Sequence, residues 1–162
     1  AGAIYSYGNA RTSPYNEQFY IGGANSIRAF TIRSIGPGRY YQNSDNNKYA
    51  YIDDGDLKFE ANLEYRFPIL GDLHGATFLD SGNIWLIRND PDRPGGQLKW
   101  GSFLKIYLGT GFGLRYDLTF IVIRFDVGIG LHLPYDTGKK GYYNIPKFKD
   151  GMGYHFAIGY PF

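Results

Sequence analysis

The sequence predicts an all-β chain, part of an antiparallel transmembrane β-barrel: about six strands plus one long extracellular loop. Three observations carry this. The chain is rich in Tyr (16) and Phe (12) and holds 23 Gly in 162 residues, about twice the roughly 7% average for glycine, and Leu-Ala-Glu-Lys helical stretches are scarce. Several segments alternate apolar and polar residues for ten or more positions, beyond the roughly 5–6 of an ordinary strand and close to the ~9–11 that cross a bilayer. The connections alternate short and long, as in outer-membrane barrels, where the short side is periplasmic.

Taken in order, "AGAIYSYGNA" (1–10) is the weakest strand candidate, and residues 11–56 form the long extracellular loop. Five further strands fall within 57–162. In "KFEANLEYRF", Phe59, Ala61, Leu63, Tyr65 and Phe67 oppose Lys58, Glu60, Asn62, Glu64 and Arg66. "HGATFLDSGNIWL" (74–86) is a strand with a less clean pattern. In "LKIYLGTGFGLRY", an apolar row from Leu104 to Tyr116 opposes Lys105, Tyr107, Gly109, Gly111, Gly113 and Arg115. In "IVIRFDVGIGL", the row from Ile121 to Leu131 opposes Val122, Arg124, Asp126, Gly128 and Gly130. The last strand sets Tyr154, Phe156, Ile158, Tyr160 and Phe162 against His155, Ala157, Gly159 and Pro161. "LGD" (70–72) and "YDL" (116–118) are tight turns, whereas 87–102 and 135–153 are long, polar and rich in Gly and Pro. A soluble sheet with one wet face would give the alternation too; strand length and the loop pattern favour the barrel.

A net charge of +2 gives no argument for nucleic acid, and with 0 Cys there is neither a disulfide framework nor a Cys-based metal site. The opening residues lack the basic and apolar regions of a signal peptide. The most apolar stretch, 118–133, is interrupted by Arg124 and Asp126 and is no membrane helix. Six strands cannot close a transmembrane barrel, since single-chain barrels start at about 8, and an open sheet leaves two unpaired edges in lipid. The chain therefore reads as the C-terminal part of a larger barrel, and in isolation its edges should pair with another copy or another chain.

"FYIGGANSIRAFTIRSIGPG" (19–38) resembles the loop signature of the BamA/TamA type of outer-membrane assembly barrel, an aromatic-x-Gly-Gly element followed by Val/Ile-Arg-Gly-Phe/Tyr and Ile-Gly-Pro. "LEYRFPI" (63–69), "TFLDSGNIW" (77–85), "GTGFGLRYDL" (109–118), "IRFDVGIGL" (123–131) and a terminal strand ending in Phe162 follow in the family's order. The family's usual Gly after the arginine is Ala29 here. The resemblance implies a 16-stranded barrel preceded by periplasmic POTRA domains, of which this chain would be the last strands and the lumen-folded loop. It implies bacterial outer-membrane location, assembly, insertion or translocation without enzymatic activity, and as partners outer-membrane lipids, nascent β-barrel proteins, and the remaining strands and POTRA domains.

By the same resemblance, the loop residues Gly22, Gly23, Ile27, Arg28, Ala29 and Phe30 would fold into the lumen, with Arg28 meeting Glu64 and Asp80 on the wall. Glu64 falls on the polar face by its period alone. Phe19, Tyr20, Ile27 and Phe30 would then pack inside, and the inward glycines would make room for the loop. The row Tyr154, Phe156, Ile158, Tyr160 and Phe162 would be the terminal signal read by the insertion machinery or an aromatic girdle, and the terminal strand one side of the seam where clients enter. Arg124 and Asp126, two apart on one face, are expected to pair. No catalytic set, cofactor or metal is expected. His74, His132 and His155 lack ligand spacing, "GTGFG" lacks the GK[ST] ending of a phosphate loop, and Asp53–Asp54 reads as a solvated acidic turn rather than a cation site. Two other readings stay open: a passive porin or adhesin, or the membrane anchor of a larger enzyme such as a patatin-like lipase.

Overall fold

The structure, a computed structural model, describes residues 1–6, 13–40 and 54–159. Six strands lie in chain order in one antiparallel sheet: β1 Gly2–Ala3, β2 Leu57–Leu70, β3 Leu73–Trp85, β4 Tyr107–Asp117, β5 Val122–His132 and β6 Met152–Gly159. Together they form half of a barrel wall. β2 and β3 are joined at Gly71–Asp72, and β4 and β5 at residues 118–121. The links at the opposite end are long, so the wall has a turn end and a loop end.

The alternation read from the sequence resolves into two unlike faces. Leu63, Tyr65, Leu79, Phe112, Leu114, Phe125, Tyr154, Phe156 and Ile158 all point outward and are exposed, Leu63 to 70%. Asp80, Arg115 and Asp126 point inward and are buried. A soluble sheet would bury the first set and wet the second; the inversion is that of a wall whose outer solvent is lipid.

What fills the inner side is mostly the long loop. Ile21, Ile27 and Ile35 of the loop form one cluster with Ile84 of β3, Tyr107 of β4, and Leu133 and Ile145 from the β5–β6 link. Phe19, Phe30 and Tyr135 pack around it, Phe30 standing edge-on to Tyr107 at 5.3 Å between ring centres. The hydrophobic core is therefore lumenal, at the loop end, while the turn end of the inner face is charged.

Two strand starts or ends differ most from the sequence expectation, and the second tight turn falls at 118–121 instead of 116–118. β1 spans only Gly2–Ala3, although Ile4 continues the pairing by donating to the Asp56 carbonyl at 2.7 Å; residues 7–10 lie outside the described residues. β4 starts at Tyr107 rather than Leu104, because Ser102–Leu104 form a 3-10 turn behind Gly101, whose φ of 88° breaks the extended chain.

Candidate functional site

The loop turns on Gly22 and Gly23, whose φ values of 109° and 93° lie in the region that side chains disfavour. A Cβ on Gly22 would also strike the Thr31 carbonyl. Gly23 N donates to the Phe30 carbonyl at 2.8 Å and Arg33 N to that of Ile21 at 3.0 Å, so residues 21–33 fold as a tight tongue with Arg28 near its tip.

Arg28 is buried and meets two strands. Its Nε and Nη2 donate to Oδ2 and Oδ1 of Asp80 on β3, each at 2.8 Å, a two-pronged match of planar groups. Its backbone N donates to the same Asp80 at 3.1 Å, and Nη1 donates to Glu64 of β2. The guanidinium lies 3.6 Å above the ring of Phe78, two residues before Asp80 on the same inward face. Burial would lower the Arg28 pKa, but the hydrogen bonds and charges of Asp80 and Glu64 outweigh it and raise the value.

From Glu64 the charges run on around the wall. Glu64 also accepts from Arg66 Nε at 2.6 Å and Arg115 Nη2 of β4 at 3.0 Å. Arg115 Nη1 donates to Asp126 of β5 at 2.5 Å, and Arg124 Nε lies 3.2 Å from the other oxygen of Asp126. Arg124 then returns to the loop, donating to the Ala24 carbonyl and the Asn25 side chain, each at 2.7 Å. His155 of β6 closes the set: its Nε2 donates to the Arg28 carbonyl at 2.7 Å. The loop is thereby bound directly to β2, β3, β5 and β6, while Arg115 ties β4 into the same network through Glu64 and Asp126.

The tongue comes this close because the wall beneath it is glycine. A Cβ on Gly109 would meet the Ala29 methyl, and one on Gly128 or Gly153 would strike the Arg28 carbonyl. Ala29 is buried in this hollow, so the methyl that replaces the expected loop glycine faces glycines across the gap.

Of the residues singled out in the sequence, Gly22, Gly23, Ile27, Arg28, Ala29, Phe30, Glu64 and Asp80 are brought together. Tyr154, Phe156 and Ile158 share the outward face of β6, while Tyr160 and Phe162 lie outside the described residues. Tyr20 does not pack inside. It is 42% exposed, with the Arg33 guanidinium 4.5 Å above its ring. Asp54 is no solvated turn either: it is fully buried with both carboxylate oxygens unpartnered, and Arg93 donates to its backbone carbonyl at 3.1 Å. Asp53 lies outside the described residues. Sequence reasoning missed Phe78, the Arg115–Asp126 pair, the His155 contact and Asn62, whose Nδ2 donates to the Ser26 carbonyl at 2.8 Å and to Asp80 at 3.0 Å. Only the inward period of Asn62, Arg115, Asp126 and His155 hinted at them.

An outward apolar surface, an inward charged one and a loop folded against that inner face define a class: a transmembrane β-barrel wall that holds one of its own loops. The chain belongs to the Omp85 superfamily, whose domain matches residues 1–162. It is 31% identical over 157 residues, or 96% of the chain, to an outer membrane protein assembly factor BamA of Nitratidesulfovibrio vulgaris. It is 29% identical over 52% of its length to the protein of the same name from Neisseria meningitidis serogroup B. It is also 32% identical over 65% of its length to the chloroplastic outer envelope protein 80 of Arabidopsis thaliana. The chain spans only 11%, 17% and 12% of the N. meningitidis, N. vulgaris and A. thaliana proteins respectively.

Proposed function

We propose that this chain is the C-terminal wall of a bacterial outer-membrane assembly barrel that inserts nascent β-barrel proteins. It would act with further strands and POTRA domains of a longer chain, and through contacts rather than catalysis. Strand β6 supplies one side of the seam: an edge with unsatisfied N–H and C=O groups templates an incoming strand. The loop braces the wall while that edge is in use.

The observation that carries this reading is the seat of Arg28, a buried guanidinium forked onto Asp80 and shared with Glu64. A barrel that opens at one edge needs the rest of its wall held, and the forked, buried seat of Arg28 on β3 and β2 supplies such a hold. The test is charge exchange in the full-length protein, read by insertion of a β-barrel client into lipid vesicles. Glu64 serves three arginines, so the cleaner exchange partner is Asp80. Arg28→Glu should abolish most insertion, and Arg28→Glu with Asp80→Arg should recover part of it. Full insertion by Arg28→Glu alone would overturn the proposal.

A further inference from the structure

The link between β3 and β4 carries "KWGSFLK" (99–105), which the latch does not use. This segment is built into the wall. Leu86 N donates to the Gly96 carbonyl and Leu98 N to that of Leu86, at 2.9 and 3.0 Å. Asn83 Nδ2 donates to the Lys105 carbonyl at 2.9 Å, and Phe103 packs on Trp85 at 5.6 Å between ring centres. Inside this frame the chain folds as the 3-10 turn Ser102–Leu104. The turn presents what a loop in water would hide: Trp100 is 99% and Leu104 87% exposed, with Phe103 also exposed.

Position says what covers them. Phe103 lines an apolar groove of about 420 Å³ with Leu57, Phe59, Trp85 and Leu98. That groove continues the outward row of β2, which runs through the exposed Phe59, Leu63 and Tyr65. β3 has 13 residues; at about 3.3 Å rise and about 40° tilt such a strand climbs about 33 Å, past an apolar band of about 25 Å. Trp85 is its last residue, so the turn beside it stands at the headgroup layer. Tryptophan prefers that layer, its ring apolar and its N–H wet. Lys99 and Lys105, both exposed, flank the aromatic pair and suit anionic phosphates.

We propose that residues 99–105 are a membrane anchor, in which Trp100, Phe103 and Leu104 enter the outer-leaflet interface and Lys99 and Lys105 pair with lipid phosphates. The proposal rests on the barrel lying in a membrane, but not on what the barrel assembles.

The test uses the full-length protein in vesicles of phosphatidylcholine and phosphatidylglycerol, with an environment-sensitive fluorophore on Leu104→Cys. Blue-shifted emission, quenched by lipids brominated near the headgroup and not by aqueous iodide, is expected. Quenching by iodide, or by neither agent because protein covers the site, overturns the anchor. In the same vesicles, Lys99→Glu with Lys105→Glu should reverse much of the blue shift; an unchanged spectrum refutes the phosphate pairing. The same label on Leu63→Cys separates the two levels of the argument. Its quenching by deeply brominated lipid shows the wall in the membrane, so a negative result at Leu104 then falls on the anchor alone. Iodide quenching at Leu63 would instead sink the barrel reading.

Discussion

Replacing Arg28 by alanine removes the fork on Asp80, the bond to Glu64 and the contact with Phe78, and leaves Asp80 buried with lone pairs exposed to no cation. Breaking a buried pair from one side costs about 3–5 kcal/mol. At about 1.4 kcal/mol per decade, the ratio of seated to unseated loop should fall by about two to three and a half decades. The change should be local. Amides held only by the tongue, such as Gly23 N on Phe30 and Arg33 N on Ile21, depend on seating, whereas the β2–β3 ladder has its own bonds. Hydrogen exchange on the full-length protein in vesicles therefore reads the prediction directly. Residues 19–35 should exchange faster by about those decades, and residues 57–70 little. Arg28→Lys keeps the charge but not the fork, and its effect should fall between wild type and alanine. If the tongue exchanges at the wild-type rate in Arg28→Ala, the ion pairs do not seat the loop and the latch is refuted.

Gly109→Ala should drive its methyl into that of Ala29, at about 1–3 kcal/mol for overpacking, and Ala29→Gly in the same chain should relieve most of it. Additive effects on the denaturant midpoint would show that the two do not meet. Burial raises the Asp54 pKa, with the Arg33 and Arg93 charges pulling it back. The folded state thus holds the Asp54 proton more tightly than the unfolded one. Stability from this group is greatest at low pH and falls as pH climbs from about 3.9 through the raised folded value. Asp54→Asn should flatten that decline in unfolding midpoints measured across the acid range. His155→Phe removes the donor to the Arg28 carbonyl and should loosen the tongue on β6, by about 1 kcal/mol; His155→Gln, which keeps an N–H, should loosen it less by the same exchange measurement. Deleting Phe162 should lower the amount of folded barrel in the membrane, read from membrane fractions; unchanged levels would leave the terminal row as girdle only.

The wall was legible because its period is long and regular, and each inward charge follows from a count of two. Asp80 was harder, since β3 changes character at its end, where Asn83 bonds the Gly38 and Lys105 carbonyls instead of facing the outer surface. Partners across strands were not legible at all, because register depends on pairing and not on period. Arg115 stands directly opposite Arg124 in the β4–β5 ladder, an unfavourable match on its face. The structure resolves it on the diagonal: Arg115 reaches Asp126, whose direct opposite is Gly113, and a Cβ on that glycine would run into both side chains. Tyr20 misled because an aromatic in an apolar loop suggests the interior, yet Arg33 covers its ring from outside. Asp54 misled because paired acids usually mark solvent, whereas here it is buried, with Arg93 on its backbone carbonyl.

The unequal strength of the loop's ties carries the last step. The tongue holds β2 and β3 by the Arg28 ion pairs and β5 by the charged Arg124 donors, and a run of four guanidinium groups and three carboxylates links those strands with β4. β6 is bound to the tongue by the His155 hydrogen bond and by the close fit of Gly153 under the Arg28 carbonyl, with no ion pair among the described residues. A hydrogen bond to a neutral carbonyl contributes about 1 kcal/mol net, against about 1.5–3 for a bond to a charged group. Among the strands the tongue holds by side-chain bonds, the proposed seam mechanism therefore expects β6, the one proposed to meet the client, to part first under load while Arg28 stays seated on Asp80. A wall built this way would be able to yield at the proposed seam without surrendering the proposed brace, which a latch of equal strength on all strands would not allow.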